Sequence, residues 1–75
     1  MEVSAAFGVV IRRLRIAKGL TQEQLGFEAG LRRTFVSSLE LGQKESSLTT
    51  IFKLSSALKF DVAELLRLVE KELAQ

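Results

Sequence analysis

The apolar residues of this chain recur at helical spacing, and this spacing most narrowly limits what the chain can fold into. Phe7, Ile11 and Leu14 follow one another at intervals of four and three residues. Residues at these intervals lie on one face of a helix, whereas a half-buried strand alternates apolar and polar residues, a pattern that no segment shows. The sequence therefore predicts an all-α fold.

Glycines and capping residues divide the chain into five predicted helices. Gly19, Gly30 and Gly42 each follow an apolar run, where a glycine commonly ends a helix. The third helix would begin at Arg32, which is a poor capping residue. The other expected caps are Thr21 with Gln24 in a capping box, Ser47, and Asp61 with Glu64 in the box position.

The last two predicted helices carry apolar faces that are expected to pack into the core. The face of the fourth helix is predicted to be Leu48, Ile51, Phe52 and Leu58. The face of the fifth helix is predicted to be Val62, Leu65, Leu66, Val69 and Leu73.

The composition excludes most catalytic chemistry. The chain has 75 residues, which is room for one domain, and it contains neither cysteine nor histidine. Thiol nucleophiles, imidazole bases and the ligands that zinc prefers are therefore missing. We expect a protein that is not an enzyme and that needs no cofactor or metal. No apolar stretch reaches membrane-spanning length, so the cytoplasm is the expected compartment.

The charges are distributed unevenly along the chain. Residues 12–33 contain six bases and two acids, whereas residues 61–75 contain four acids and two bases. A basic half beside an acidic tail indicates one face for a polyanion and another surface for a different contact. The alternative is an ordinary solvated surface.

The segment around Gly26 and Gly30 has the features of two short helices that cross closely. A close crossing needs a very small residue on the first helix, and Gly26 supplies it. The turn needs a residue that tolerates positive φ, and Gly30 supplies it. The apolar residues expected to point into the shared core are Leu25, Ala29, Leu31, Val36 and Leu39.

Residues 21–42 closely resemble the Cro/lambda-repressor-like helix-turn-helix family, also called the XRE family. The resemblance extends over roughly residues 7–68, through Arg-Leu-Arg-Ile-Ala-Lys-Gly-Leu-Thr-Gln (13–22) and Ser-Leu-Thr-Thr-Ile-Phe-Lys-Leu (47–54). It implies that residues 1–75 form a single compact five-helix DNA-binding domain with the helix-turn-helix at helices two and three. Among small members of the family, the chain looks most like the controllers of restriction–modification operons.

The resemblance also implies which residues contact DNA. The helix from about Arg33 to Leu41 would lie in the major groove, with its first turn against base edges. The implied base-reading residues are Arg33, Thr34 and Ser38, with Arg32 and Ser37 as secondary candidates. Arg33 suits the role because a guanidinium can donate two hydrogen bonds to guanine. The alternative for Arg32 is a contact with phosphate only. The alternative for Ser37 and Ser38 is that they are solvated helix positions without a contact to DNA.

Other positions match backbone contacts and a structural ion pair. The implied backbone contacts are Gln22, Phe35, Gln43 and Lys44. The alternative for Phe35 is that it is partly packed into the protein. The alternative for Lys44 is that it is free at the surface. Arg15 and Glu40 match a salt bridge that would fix the recognition helix, whereas Arg12, Arg13 and Lys18 would supply a positive field.

One helix-turn-helix module reads only a few base pairs, and this limit predicts the partners of the chain. A homodimer on a palindromic operator doubles the number of base pairs read. The C-terminal helix, residues 62–74, is expected to contribute to dimerisation because Leu68 lies off the core stripe and Leu73 extends beyond it. The predicted interface is Leu65, Leu68, Val69 and Leu73, and the alternative is that all four belong to the core.

The sequence therefore predicts a sequence-specific, double-stranded DNA-binding transcription regulator. RNA polymerase or a cognate partner protein are further possible partners, and the sequence does not distinguish repression from activation. The alternative function is a protein-interaction module, antitoxin-like or scaffold-like, that has kept the fold without DNA binding.

Overall fold

Five helices and no strand make up the computed structural model, which describes residues 1–75. The helices are α1 (Val3–Ala17), α2 (Gln22–Ala29), α3 (Arg33–Glu40), α4 (Leu48–Leu58) and α5 (Val62–Leu73). The predicted all-α fold with five helices is confirmed.

The capping residues of α2 and α5 behave differently from each other. The Thr21 hydroxyl accepts a hydrogen bond from the Gln24 backbone N–H at 3.0 Å, and the Gln24 side chain accepts one from the Thr21 N–H at 2.8 Å. The predicted capping box is therefore confirmed. Asp61 caps α5 by accepting from the Ala63 N–H at 3.1 Å, but Glu64 pairs with Arg67 one turn later. The box predicted at α5 is wrong because the guanidinium attracts this carboxylate more strongly than a backbone N–H does.

The end of α4 adopts a left-handed backbone conformation without a glycine. Lys59 has φ 54° and ψ 47°, and it is the only residue other than glycine with a positive φ. A side chain in this region costs about 1 kcal/mol or more. The Lys59 N–H nevertheless bonds to the Ser56 carbonyl and the Phe60 N–H to the Ser55 carbonyl, which closes the helix end.

The core joins all five helices. It consists of Ala6, Phe7, Val10, Ile11, Leu25, Ala29, Val36, Leu39, Leu54, Leu58, Leu65 and Val69. The face predicted for α4 is partly wrong, because Leu48 and Phe52 are exposed and Leu54 is fully buried. Since α4 packs against both α2 and α5, its buried face centres on Leu54 and Leu58 rather than on its first turn.

Helix α1 packs against both α3 and α5, and a glycine permits the first of these contacts. A Cβ atom on Gly8 would lie 2.3 Å from the Leu39 carbonyl oxygen and 2.7 Å from that of Glu40. Gly8 therefore brings the end of α3 directly against the backbone of α1.

None of the five helices is long and apolar enough to cross a membrane. The longest, α1, has 15 residues, whereas a bilayer-spanning helix needs about 20.

Candidate nucleic-acid interface

The crossing of α2 and α3 gives the candidate interface its shape. A Cβ atom on Gly26 would lie 2.5 Å from the Leu31 carbonyl oxygen, and the Leu31 N–H donates to the Gly26 carbonyl at 2.7 Å. Gly30, at φ 70°, ends α2 between these two residues. The turn is therefore pressed against α2, and no side chain fits at position 26. The predicted roles of both glycines are confirmed.

The outward face of α3 is polar along its first two turns. Val36, Leu39 and Glu40 are buried on the opposite side. Arg32, Arg33 and Thr34 are exposed and Ser37 and Ser38 half-buried, so the five predicted base-reading residues lie together at this helix. Neither arginine takes part in a salt bridge, and both guanidiniums are available to a ligand.

A buried ion pair connects α3 to α1. The guanidinium of Arg15 donates to Glu40 through Nε at 2.6 Å and through Nη2 at 3.0 Å. Its Nη1 donates to the Leu20 carbonyl at 2.8 Å. Only 12% of the Arg15 side chain and 2% of the Glu40 side chain are exposed. The ion pair predicted here is present, and its two parallel hydrogen bonds fix the orientation of the end of α3.

Gln22 belongs to the same network. Its Nε2 donates to Glu40 Oε1 at 3.0 Å, so the first residue of α2 is tied to the last residue of α3. Gln22 is predicted to contact a phosphate, and one of its two amide hydrogens is already donated to Glu40. The second amide hydrogen and the backbone N–H have no acceptor within the chain.

A second ion pair holds α5 against α1. Arg13 Nη2 donates to Glu72 Oε1 at 3.0 Å, with 59% of the Arg13 side chain exposed and 9% of the Glu72 side chain. Glu72 offsets part of the positive field that Arg13 is expected to supply. Arg12 and Lys18 have no ionic partner.

The residues after α3 and the aromatic residue on it differ in accessibility. Gln43 and Lys44 are exposed in the turn that follows α3, and Lys44 has no ionic partner. Phe35 is half-buried and packs against the hydrophobic core. The structure therefore favours the packed alternative for Phe35 and leaves only part of the ring for a ligand.

The predicted dimer interface on α5 needs correction. Leu65 has no exposed surface and Val69 is 6% exposed, because both face α1 and α4 within the chain. Leu68 and Leu73 are half-buried and also pack against the core. Leu66, which the sequence predicts to be buried, is 39% exposed. The helical phase of α5 is therefore rotated from the predicted one, and Leu66 is the leucine that a partner could reach.

Three informative residues were missed in the sequence. Gly8 carries a signal in the sequence, because a glycine inside a helix is costly and usually marks a close approach. Glu72 gave no signal, since its partner Arg13 is 59 residues away. Phe27 lies on α2 with 86% of its surface exposed, and its side of the helix could be read from the spacing to the buried Leu25 and Ala29.

Comparisons with known proteins agree with this geometry. A family model described as helix-turn-helix matches residues 11–65. The control protein C.BamHI of Bacillus amyloliquefaciens is 41% identical over 61 residues, which are 80% of this chain and 75% of that protein. The crystal structure of the restriction–modification controller protein C.AhdI from Aeromonas hydrophila is 47% identical and covers 83% of this chain and 94% of that one, with a TM-score of 0.80.

A second solved structure shares the fold at lower identity. The restriction–modification controller protein C.Esp1396I was solved as a tetramer in complex with its natural 35-base-pair operator. It is 23% identical and covers 100% of this chain and 99% of that one, with a TM-score of 0.91.

Proposed function

Because this chain belongs to the helix-turn-helix family of transcription regulators, we propose that it binds double-stranded operator DNA as a homodimer, with α3 in the major groove. The observation that carries the proposal is the first turn of α3. There Arg32, Arg33 and Thr34 project into solvent without intramolecular partners, on a helix that Arg15 and Gly26 hold rigidly. A pure scaffold would have little reason to fix such a surface.

Base reading is assigned to the outward face of α3. Arg33 donates two hydrogen bonds to guanine O6 and N7, which is worth about 1–3 kcal/mol of discrimination. Thr34 and Ser38 are short enough to bond a base edge or touch a thymine methyl group. Arg32 and Ser37 stand at the margins of this face and make secondary contacts.

Backbone contacts are assigned to the two ends of the helix-turn-helix. At the start of α2, the N–H groups of Gln22 and Glu23 have no acceptor in the chain and form the positive end of the helix dipole, which favours an anion such as a phosphate. After α3, the exposed Gln43 and Lys44 contact the sugar–phosphate backbone of the DNA beside the major groove. The exposed edge of Phe35 adds an apolar contact with a sugar.

Dimerisation is assigned to an apolar patch beside α5, formed by Val3, Ile51 and Leu66. Val3 is 62% exposed and Leu66 39%, Ile51 is half-buried, and the three line one hollow. Two copies joined here by a twofold axis bury apolar surface and present two copies of α3. Leu68 and Leu73 pack against the core of the same chain.

The regulated genes follow from the relatives. C.BamHI is a control protein and C.AhdI is a restriction–modification controller protein, and this chain acts on the promoter of a restriction–modification operon. The operator-bound dimer blocks RNA polymerase or recruits it, according to where the operator lies. Since the target is genomic DNA, the protein acts in the cytoplasm.

The test is selection of duplexes from a random library, followed by fluorescence anisotropy across a salt series. Wild type should bind the selected duplex far more tightly than a scrambled one, with an affinity that falls steeply with salt. Arg33→Ala should weaken binding roughly 10- to 100-fold on the selected duplex and little on the scrambled one.

Arg67→Ala is the control, because it also removes one exposed positive charge but lies on α5. It should leave the preference between the two duplexes unchanged. Wild-type binding that is equal on all duplexes would favour the protein-interaction module instead.

A further inference from the structure

The outward face of α3 continues beyond its polar residues to Leu41. Thr34, Ser38 and Leu41 are spaced by four and three residues, so they stack along one side of the helix. Leu41 is 68% exposed, although most leucines of this chain are buried or half-buried. An apolar side chain therefore stands in line with the residues assigned to base reading.

The backbone on both sides of Leu41 is fixed. Glu40 is held by two hydrogen bonds from Arg15 and by one from Gln22. Gly42, at φ 75°, packs so closely on α1 that a Cβ atom there would lie 2.9 Å from the Ala5 Cα. Leu41 itself keeps helical angles, with φ −84° and ψ −1°. The position of its backbone is therefore set by the fold before any ligand binds.

The chemistry of the leucine limits what it can read. It has no hydrogen-bond donor for a phosphate oxygen and none for a polar base edge. In the major groove, the apolar group presented by a base pair is the 5-methyl group of thymine. Contact between this methyl group and Leu41 would remove apolar surface of both from water.

We propose that Leu41 reads a thymine methyl group at one position in each half-site. Thr34 and Leu41 are seven residues apart, which is about 10 Å along a helix and about three base pairs along DNA. The thymine that Leu41 contacts therefore lies about three base pairs from the base pair that Thr34 faces. This inference rests on the proposed function, since it requires α3 to lie in the major groove.

The test replaces each thymine of the selected operator by deoxyuridine, which lacks only the methyl group. At one position per half-site, the substitution should weaken wild-type binding about fourfold, the equivalent of one buried methyl group. Leu41→Ala should bind the thymine operator more weakly and should be insensitive to deoxyuridine at that same position. Any effect at a thymine read by Thr34 should persist in Leu41→Ala.

Phe27→Ala is the matched control, because it also removes an exposed apolar side chain but lies on the outer side of α2. It should keep the full deoxyuridine profile of wild type. The inference is overturned if wild type and Leu41→Ala give the same profile at every position. Failure of wild type to select any duplex would instead overturn the proposed function, so the two failures are distinguishable.

Discussion

The guanidinium of Arg15 is bonded to the carboxylate of Glu40 through two hydrogen bonds, and this pair joins α1 to the last residue of α3. Because Gln22 donates to the same carboxylate, one buried group fixes the beginning of α2 and the end of α3 together. The angle between the two helices of the helix-turn-helix is therefore set by Glu40 as well as by the close contact at Gly26.

Glu40→Gln should strongly destabilise the protein. The substitution leaves the largely buried Arg15 charge without its counter-ion, which costs about 3 kcal/mol in comparable sites. Urea denaturation would measure the loss. Glu64→Gln provides the control, since its pair with Arg67 is about half exposed and should change stability by less than about 1 kcal/mol. Equal effects of the two substitutions would contradict a structural role for Glu40.

Gly8→Ala should destabilise the protein although alanine is the better helix former. Helix propensity alone predicts a gain of about 1 kcal/mol. The added Cβ would lie 2.3 Å from the Leu39 carbonyl oxygen, so α3 must move away, at a cost of about 1–3 kcal/mol beyond that gain. Thermal or urea unfolding gives the sign of the change. A more stable Gly8→Ala variant would show that α1 and α3 do not approach as closely as described.

Lys59→Gly should stabilise the protein. Glycine relieves the left-handed strain at the end of α4, and part of that gain is lost to the greater freedom of glycine in the unfolded chain. We expect a net gain of about 0.5 kcal/mol. Lys53→Gly, in the exposed interior of the same helix, should lose about 1 kcal/mol. The two lysine-to-glycine changes should therefore shift the urea midpoint in opposite directions.

Leu66→Asp should convert the proposed dimer into a monomer while leaving the helical content unchanged. The new carboxylates would face each other across the apolar patch and would lose their hydration there. Analytical ultracentrifugation should give twice the chain mass of 8.3 kDa for wild type and the chain mass for the variant. Phe27→Asp places the same charge outside the patch and should remain dimeric. A dimeric Leu66→Asp variant would exclude this interface.

Local signals predicted the helices well. Each helix has an end marked by a residue type with a local physical reason, such as the Thr21 capping box or Gly30 in a left-handed turn. The turn at Gly26 could be predicted because only two neighbouring elements take part. The Arg15–Glu40 pair could be predicted from the resemblance to the family, but not from the spacing of the two residues.

What the sequence could not supply depends on contacts between distant segments. Glu72 is an acid near the end of an amphipathic helix, and only the packing of α5 on α1 brings it to Arg13. Leu66 and Leu68 are both leucines of α5, and which one is exposed depends on the rotation of α5 against α1 and α4. The two side chains leave the helix about 200° apart, so the rotation of α5 decides which of them faces the core, and local periodicity does not resolve it.

The measurement that tests the central claim most directly is binding to operators in which single guanines are replaced by 7-deazaguanine. This base lacks the N7 acceptor of the major groove and keeps Watson–Crick pairing. If Arg33 reads guanine from the major groove, one replacement per half-site should weaken wild-type binding about tenfold, and Arg33→Ala should not respond to it. Wild-type binding that is unchanged by every replacement would contradict the placement of Arg33 against a guanine in the major groove.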